Sequence, residues 1–277
     1  MKKNASTFFL IMILFIGLSL LLYPSFSDWW NSFHSSRAIA TYSQQVASLD
    51  EENYTVLWEE AWAYNQTLLD RPSEFTLTEA QTSVYPDLLD ISGNGIMGYI
   101  EIPSLKQTLP IYHGTDDAVL QIAIGHLEWS SLPVGGDSSH CVISGHRGLP
   151  SAKLFTNLDQ LIEGDLFLIR VLDEVLTYEV DQIRIVEPTD VQDLTIQEGK
   201  DLCTLVTCTP YGINSHRLLV RGQRIDNQEA ARTVRVTADA VQIEPVLIAP
   251  FLAAPILMVL FMMLLLPKQK KKQEDEI

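Results

Sequence analysis

A mainly β domain, a sandwich or barrel of short strands set between apolar terminal segments and preceded by helices, is the architecture this 277-residue sequence predicts. Three observations predict it. Runs rich in β-branched and aromatic residues recur between Gly, Pro and Asp turns: Met97–Ile102, Leu109–His113, His140–Gly145, Leu166–Val171, Leu176–Glu187, Leu202–Cys208 and Arg217–Gln223. Before them, apolar residues return at three- and four-residue steps, first Ile39, Tyr42, Val46 and Leu49, then Leu57, Ala61, Tyr64 and Leu68. Both ends carry long uncharged runs.

In chain order, residues 1–26 form a membrane anchor or signal-like segment. Lys2 and Lys3 precede an apolar run from Phe8 to Leu22, and Trp29 and Trp30 suit a membrane interface. With no small-x-small cleavage site after the run, an uncleaved anchor is the preferred reading. Residues 27–69 are the helical region, with Asp50, Glu51 and Glu52 breaking it or opening a second helix. Residues 70–94 hold turn formers and acids with little periodicity and are expected to be a loop. Residues 95–225 form the strand-rich domain, with a helical turn over Leu154–Leu161. Residues 226–245 make a polar linker. Residues 246–266 lack any charge and are long enough to cross a bilayer as a helix. The 267–277 tail opens with Lys268, Lys270, Lys271 and Lys272 and is therefore expected on the cytoplasmic side, as is the N-terminus. The strand domain then lies outside the cell membrane.

Outside residues 1–23 and 246–277 the chain has 13 Lys+Arg (19 less 6) against 32 Asp+Glu (35 less 3), a balance near −19. That excludes nucleic acid as a partner, because such binding needs basic patches. Three cysteines, Cys141, Cys203 and Cys208, make no disulfide framework and no metal-ligand spacing. Cys141 and Cys203 sit inside apolar strands, where free cysteine behaves as a small hydrophobe.

Cys208 is different. It ends a β-branched strand and precedes Thr-Pro-Tyr-Gly, so the thiol meets a loop. Arg217 opens the next strand, across the hairpin from it. Positive charge favours the thiolate, the nucleophilic form of cysteine, and a guanidinium can hold an oxyanion. Arg147 and Arg221 are alternatives for that role. A cysteine nucleophile also needs a proton-transfer partner, most often histidine. Of six histidines, at 34, 113, 126, 140, 146 and 216, His146 is the best candidate: it ends an apolar strand just before a loop, where catalytic side chains are commonly placed. His216 adjoins Arg217, and neighbours on a strand face opposite ways, so the two do not share a site. His113 and His126 read as structural.

These segments resemble the sortases, the membrane-bound cysteine transpeptidases of Gram-positive bacteria. Thr204-Leu205-Val206-Thr207-Cys208 matches their T-L-x-T-C signature, Ser144-Gly145-His146-Arg147 their histidine segment, and Arg217 their catalytic arginine. Gly98–Pro103, Leu109–Thr115 and Ser131–Gly136 match further segments, and the layout is most similar to the pilus-assembling class C branch. The resemblance implies a closed eight-stranded β-barrel. It implies Cys208 as nucleophile, His146 as general acid/base and Arg217 as oxyanion and substrate-aligning residue. The substrates it implies are pilin proteins bearing a Leu-Pro-x-Thr-Gly-like sorting signal, with the lysine amine of a second pilin as acceptor. No cofactor or metal is required. A sortase that attaches proteins to the cell wall, a pilin-binding membrane module without catalysis, and a thiol hydrolase are the alternatives. Class C sortases usually cover the site with a lid bearing an Asp-Pro-aromatic motif. This chain has Asp70-Arg71-Pro72-Ser73-Glu74-Phe75 instead, so no lid residue carries over.

Overall fold

The computed structural model describes residues 2–71 and 75–227, with side chains from Phe8. The linker beyond Asn227, the 246–266 span and the lysine-rich tail lie outside the described residues. Met1–Ser27 and the domain beginning at Asp28 are separate compact units.

Helix α1 runs Lys2–Val46 without interruption, through Pro24. From Phe8 it is long and apolar enough to cross a membrane. Helix α2, Glu51–Thr67, starts where the acidic triplet suggests: Asp50 caps it by accepting the Asn53 amide at 2.8 Å, and Glu51 and Glu52 face the positive end of the helix dipole. α2 and the part of α1 from Asp28 onward belong to the domain through buried polar anchors. The Tyr42 hydroxyl donates to the Met97 carbonyl and accepts from the Leu172 amide. The Asn65 side chain satisfies both backbone groups of Leu132. Such bonds answer backbone groups outside regular pairing: Leu132 and Leu172 lie beyond the strands, and Met97 sits at a register irregularity of its strand.

The 70–94 segment departs from the expected loop. It contains helix α3, Glu79–Val84, followed by a single 3₁₀ turn at Tyr85–Asp87. The physical cause is a complete capping box: Thr78 accepts from the Gln81 amide, and the Gln81 side chain accepts from the Thr78 amide. That box fixes a helix too short to show periodicity.

Eight strands follow: β1 Ile96–Ile102, β2 Gln107–His113, β3 Ile124–His126, β4 Ser139–Ser144, β5 Leu166–Val171, β6 Glu174–Val186, β7 Asp201–Thr209 and β8 His216–Ile225. They close into a barrel in the order β1-β2-β3-β4-β7-β8-β6-β5. β2–β3 and β4–β7 pair parallel, and the other neighbours pair antiparallel. The barrel has the eight strands that the resemblance implied. The strand absent from the sequence reading is β3, only three residues long.

Strand alternation sorts side chains to the two faces of the wall. Ile100, Ile111, Ile143, Phe167, Tyr178, Leu205 and Val220 fill the interior. Each such residue contributes about 1.5–3 kcal/mol through burial. Val142, Val186, Val206 and Leu219 point outward and are covered by Val191 and Leu194 from the β6–β7 connection. This second cluster leads up the outer face to the ends of β4 and β7.

Candidate active site

Three strand ends meet on that outer face. Cys208 is the penultimate residue of β7 and lies directly opposite Arg217 of β8 in the antiparallel register. On the other side of β7, β4 runs parallel to it, with Ser144 beside Val206. The Gly145 amide continues the ladder by donating to the Val206 carbonyl at 3.0 Å. One further step brings His146 level with Cys208. Cys208 has the parity of Val206 and Thr204, Arg217 that of Leu219, and His146 that of Val142, so all three belong to the outer face. Cys208 thus lies opposite Arg217 across one ladder and, where the β4 register is continued past its end, beside His146 across the other, and all three residues are half-buried.

Backbone and interior contacts hold the ends in place. Thr207 faces inward and is buried, and its hydroxyl donates to the Gly145 carbonyl at 2.8 Å. It stitches β4 to β7 one residue before both His146 and Cys208, a positioning contact that a strand threonine does not advertise in the sequence. A Cβ on Gly145 would sit 2.7 Å from the Phe155 ring and 2.8 Å from Ile124, so only glycine lets β4 end this close to its neighbours. The Phe155 amide in turn donates to the His146 carbonyl at 3.1 Å.

The arginine alternatives separate by their partners. Arg147 pairs with Asp159, and Arg221 makes a two-pronged pair with Asp181 at 3.0 and 2.7 Å. Arg217 donates only to the Asn214 and His216 carbonyls, at 3.4 and 3.2 Å, and pairs with no carboxylate among the described residues. Its charge remains available for a substrate anion.

The remaining candidates have other employment. Cys141 and Cys203 lie side by side inside the barrel, and burial pushes the Cys203 thiol well above its ordinary range. His126 is fully buried, with its Nε2–H donating to the Ser131 carbonyl and its Nδ1 accepting from Tyr85. His113 faces the Leu88 and Gly95 carbonyls. His216 pairs with Glu187. His140 shares the outward parity of His146 but is fully buried, with Nδ1–H donating to Thr195 and Nε2 accepting from the Thr204 hydroxyl. Burial pushes it down to about 4 and keeps it neutral. Arg71 and Phe75, flanking the altered lid segment, dock on Trp129: one donates to its carbonyl and the other packs edge-on against its ring. Pro72–Glu74 lie outside the described residues.

A Sortase domain family model matches residues 100–225. Sortase D of Bacillus subtilis is 31% identical over 131 residues, which span 46% of this chain and 63% of that protein. Among solved structures, sortase C1 of Streptococcus agalactiae is 51% identical, with 69% of this chain and 99% of that one aligned and a TM-score of 0.67. The chain belongs to the sortase family, the cysteine transpeptidases. Streptococcus pneumoniae sortase C, a structure described for its insight into catalysis and pilin substrate specificity, is a second class C neighbour of this sortase. It is 47% identical, covers 69% of this chain and 97% of its own, and has a TM-score of 0.62.

Proposed function

We propose that this sortase joins pilin subunits, cleaving a Leu-Pro-x-Thr-Gly-like sorting motif through a Cys208 thioester. The observation that supports the reading is the pairing of Cys208 with Arg217 in the β7–β8 register, with β4 ending beside β7 two residues before His146. The Cys208 thiolate attacks the threonine carbonyl carbon. Arg217 stabilises the oxyanion, a role worth roughly 10²–10³ in rate. The carbon–nitrogen bond to glycine breaks, and His146 gives its proton to the departing amine. The thioester retains the acyl group, so the chemistry needs no nucleotide. A lysine amine of a second pilin then attacks the thioester and loses its proton to His146. The carbon–sulfur bond breaks, and an isopeptide bond and the Cys208 thiolate result.

The class C neighbours favour a pilin lysine over a cell-wall amine as acceptor. In the same proposal, residues 95–225 work outside the membrane, α1 anchors them, and the 246–266 helix is a second anchor with both tails cytoplasmic. The test is intact mass after incubation of the full chain, in detergent or vesicles, with a sorting-motif peptide and a candidate pilin. Wild type should gain an acyl adduct that resolves into a pilin–pilin amide, and Cys208→Ala should gain none. An adduct discharged only by small cell-wall-type amines would select wall anchoring. One discharged only by water would select hydrolysis. Polymerisation supported by Cys208→Ala would select a binding module without catalysis.

A further inference from the structure

The loop that carries His146 and the loop that leads into Arg217 approach each other beside Cys208, and one side chain joins them. The His146 loop is braced from within. The Phe155 amide donates to the His146 carbonyl, and the Gly148 amide donates to the Thr156 hydroxyl at 3.0 Å. Arg147 pairs with Asp159, and its side chain is only 9% exposed. Arg147 Nε is buried without a hydrogen-bond partner among the described residues, so the guanidinium is tied at one edge only.

The second loop, residues 210–215, is closed on itself. The Ile213 and Asn214 amides both donate to the Pro210 carbonyl, at 3.1 and 2.9 Å. Asn214 is in the left-handed region, and its carbonyl accepts from Arg217. From this loop the Tyr211 ring crosses to the first. The Arg147 guanidinium lies 5.8 Å from its centroid. The ring also packs on Gly148: a Cβ there would stand 2.9 Å from ring Cε2, and Gly148 has a φ of +74°. Tyr211 is 61% exposed. Its placement therefore owes little to a core, and its contacts are with the loop that carries His146.

We propose that Tyr211 is a positioning residue that locks the His146 loop, through Arg147 and Gly148, to the loop preceding Arg217, fixing imidazole and guanidinium on opposite sides of Cys208. This inference rests on the transpeptidase reading above. It acts through geometry, since small displacements of reacting groups carry large rate penalties. The ring atoms Cε2 and Cζ come nearest to Gly148 and the guanidinium lies over the ring, so both contacts survive without a hydrogen bond from the hydroxyl, and the hydroxyl is dispensable.

The experiment is single-turnover acylation of the full chain by a sorting-motif peptide, followed by intact mass. Wild type, Tyr211→Ala, Tyr211→Phe, Arg147→Ala and the Tyr211→Ala/Arg147→Ala double variant are compared, and thermal melting is measured alongside. Tyr211→Ala should slow acylation about tenfold, by misaligning the reacting groups, with little change in melting. Tyr211→Phe should recover most of the rate. The double variant should be scarcely slower than the slower single variant, because both remove one contact. A wild-type rate in Tyr211→Ala, equal losses in the Ala and Phe variants, or additive effects of Tyr211 and Arg147 would overturn the inference while leaving the transpeptidase reading intact. Failure of wild type to acylate would overturn both.

Discussion

The outer face of β4 and β7 has two ends that carry nearly the same chemistry and do opposite things. At the covered end, His140 accepts a hydrogen bond from the Thr204 hydroxyl at 2.7 Å beneath the β6–β7 connection. At the open end, Cys208 lies opposite Arg217, and the β4 register continued past Ser144 leads to His146. Both are a histidine on one strand and a nucleophile-bearing side chain on the next. The difference is cover. Desolvation fixes His140 as a neutral imidazole whose two nitrogens are already occupied. At the open end the groups stay half-exposed and, among the described residues, Arg217 is bound only to backbone carbonyls, so a substrate can still take them. Imidazole next to an oxygen or sulfur is therefore not a site in itself. A site needs the same pair with solvent access and an uncommitted charge.

That comparison predicts that variants at the open end lose chemistry and keep stability, while variants at the covered end do the reverse. The largest effect is expected from Cys208→Ala: acylation should fall by roughly a thousandfold or more, to the level of uncatalysed background, with melting unchanged. Intact-mass kinetics and calorimetry together check it. Next, Arg217→Ala should cost roughly 10²–10³ in acylation rate. Arg221→Ala should leave the rate near wild type and cost only about 1 kcal/mol of stability from its partly exposed pair with Asp181. Equal rate losses in the two would erase the distinction between paired and available arginines.

The third effect concerns pH. His140 is neutral in the fold down to about 4, whereas an unfolded histidine takes up a proton near 6.5. Above 6.5 neither state is charged and His140 adds no pH dependence. As pH falls from 6.5 towards 4, the unfolded state gains a proton the folded state refuses, and stability drops by about 3 kcal/mol in total. Denaturant titrations across that window should show the slope, and His140→Gln should flatten it. The fourth variant is Thr204→Val, which leaves the His140 Nε2 acceptor without its hydroxyl donor. Its cost should be about 1–3 kcal/mol in chemical denaturation, with acylation unaltered. A change in rate there would tie the covered end to catalysis and break the comparison.

Much of this was legible beforehand because strand alternation is local. A period of two is enough to put Cys203 and Cys208 on opposite faces and to separate His216 from Arg217. The hairpin from Cys208 to Arg217 is short, so their juxtaposition is readable from the turn formers at Pro210, Gly212 and Asn214. The capping box at Thr78 and Gln81 was readable in principle, but six helical residues give no periodicity to notice. β3 escaped for a similar reason: three residues cannot show alternation, and Ile124–His126 is a strand only because β2 and β4 lie on either side of it.

The sequence by itself determined the residue types, the strand ends on which they sit and the face each one occupies. Those follow from side-chain chemistry and backbone geometry over a few residues. Only the tertiary structure decided that β4 pairs parallel with β7 and so points the end of β4 towards Cys208, that among the described residues Arg147 and Arg221 are spent on carboxylates while Arg217 is not, and that Tyr211 crosses to the opposite loop. Strand neighbours in a closed barrel are set by burial and hydrogen bonding summed over the whole wall, and no local stretch of sequence contains that sum.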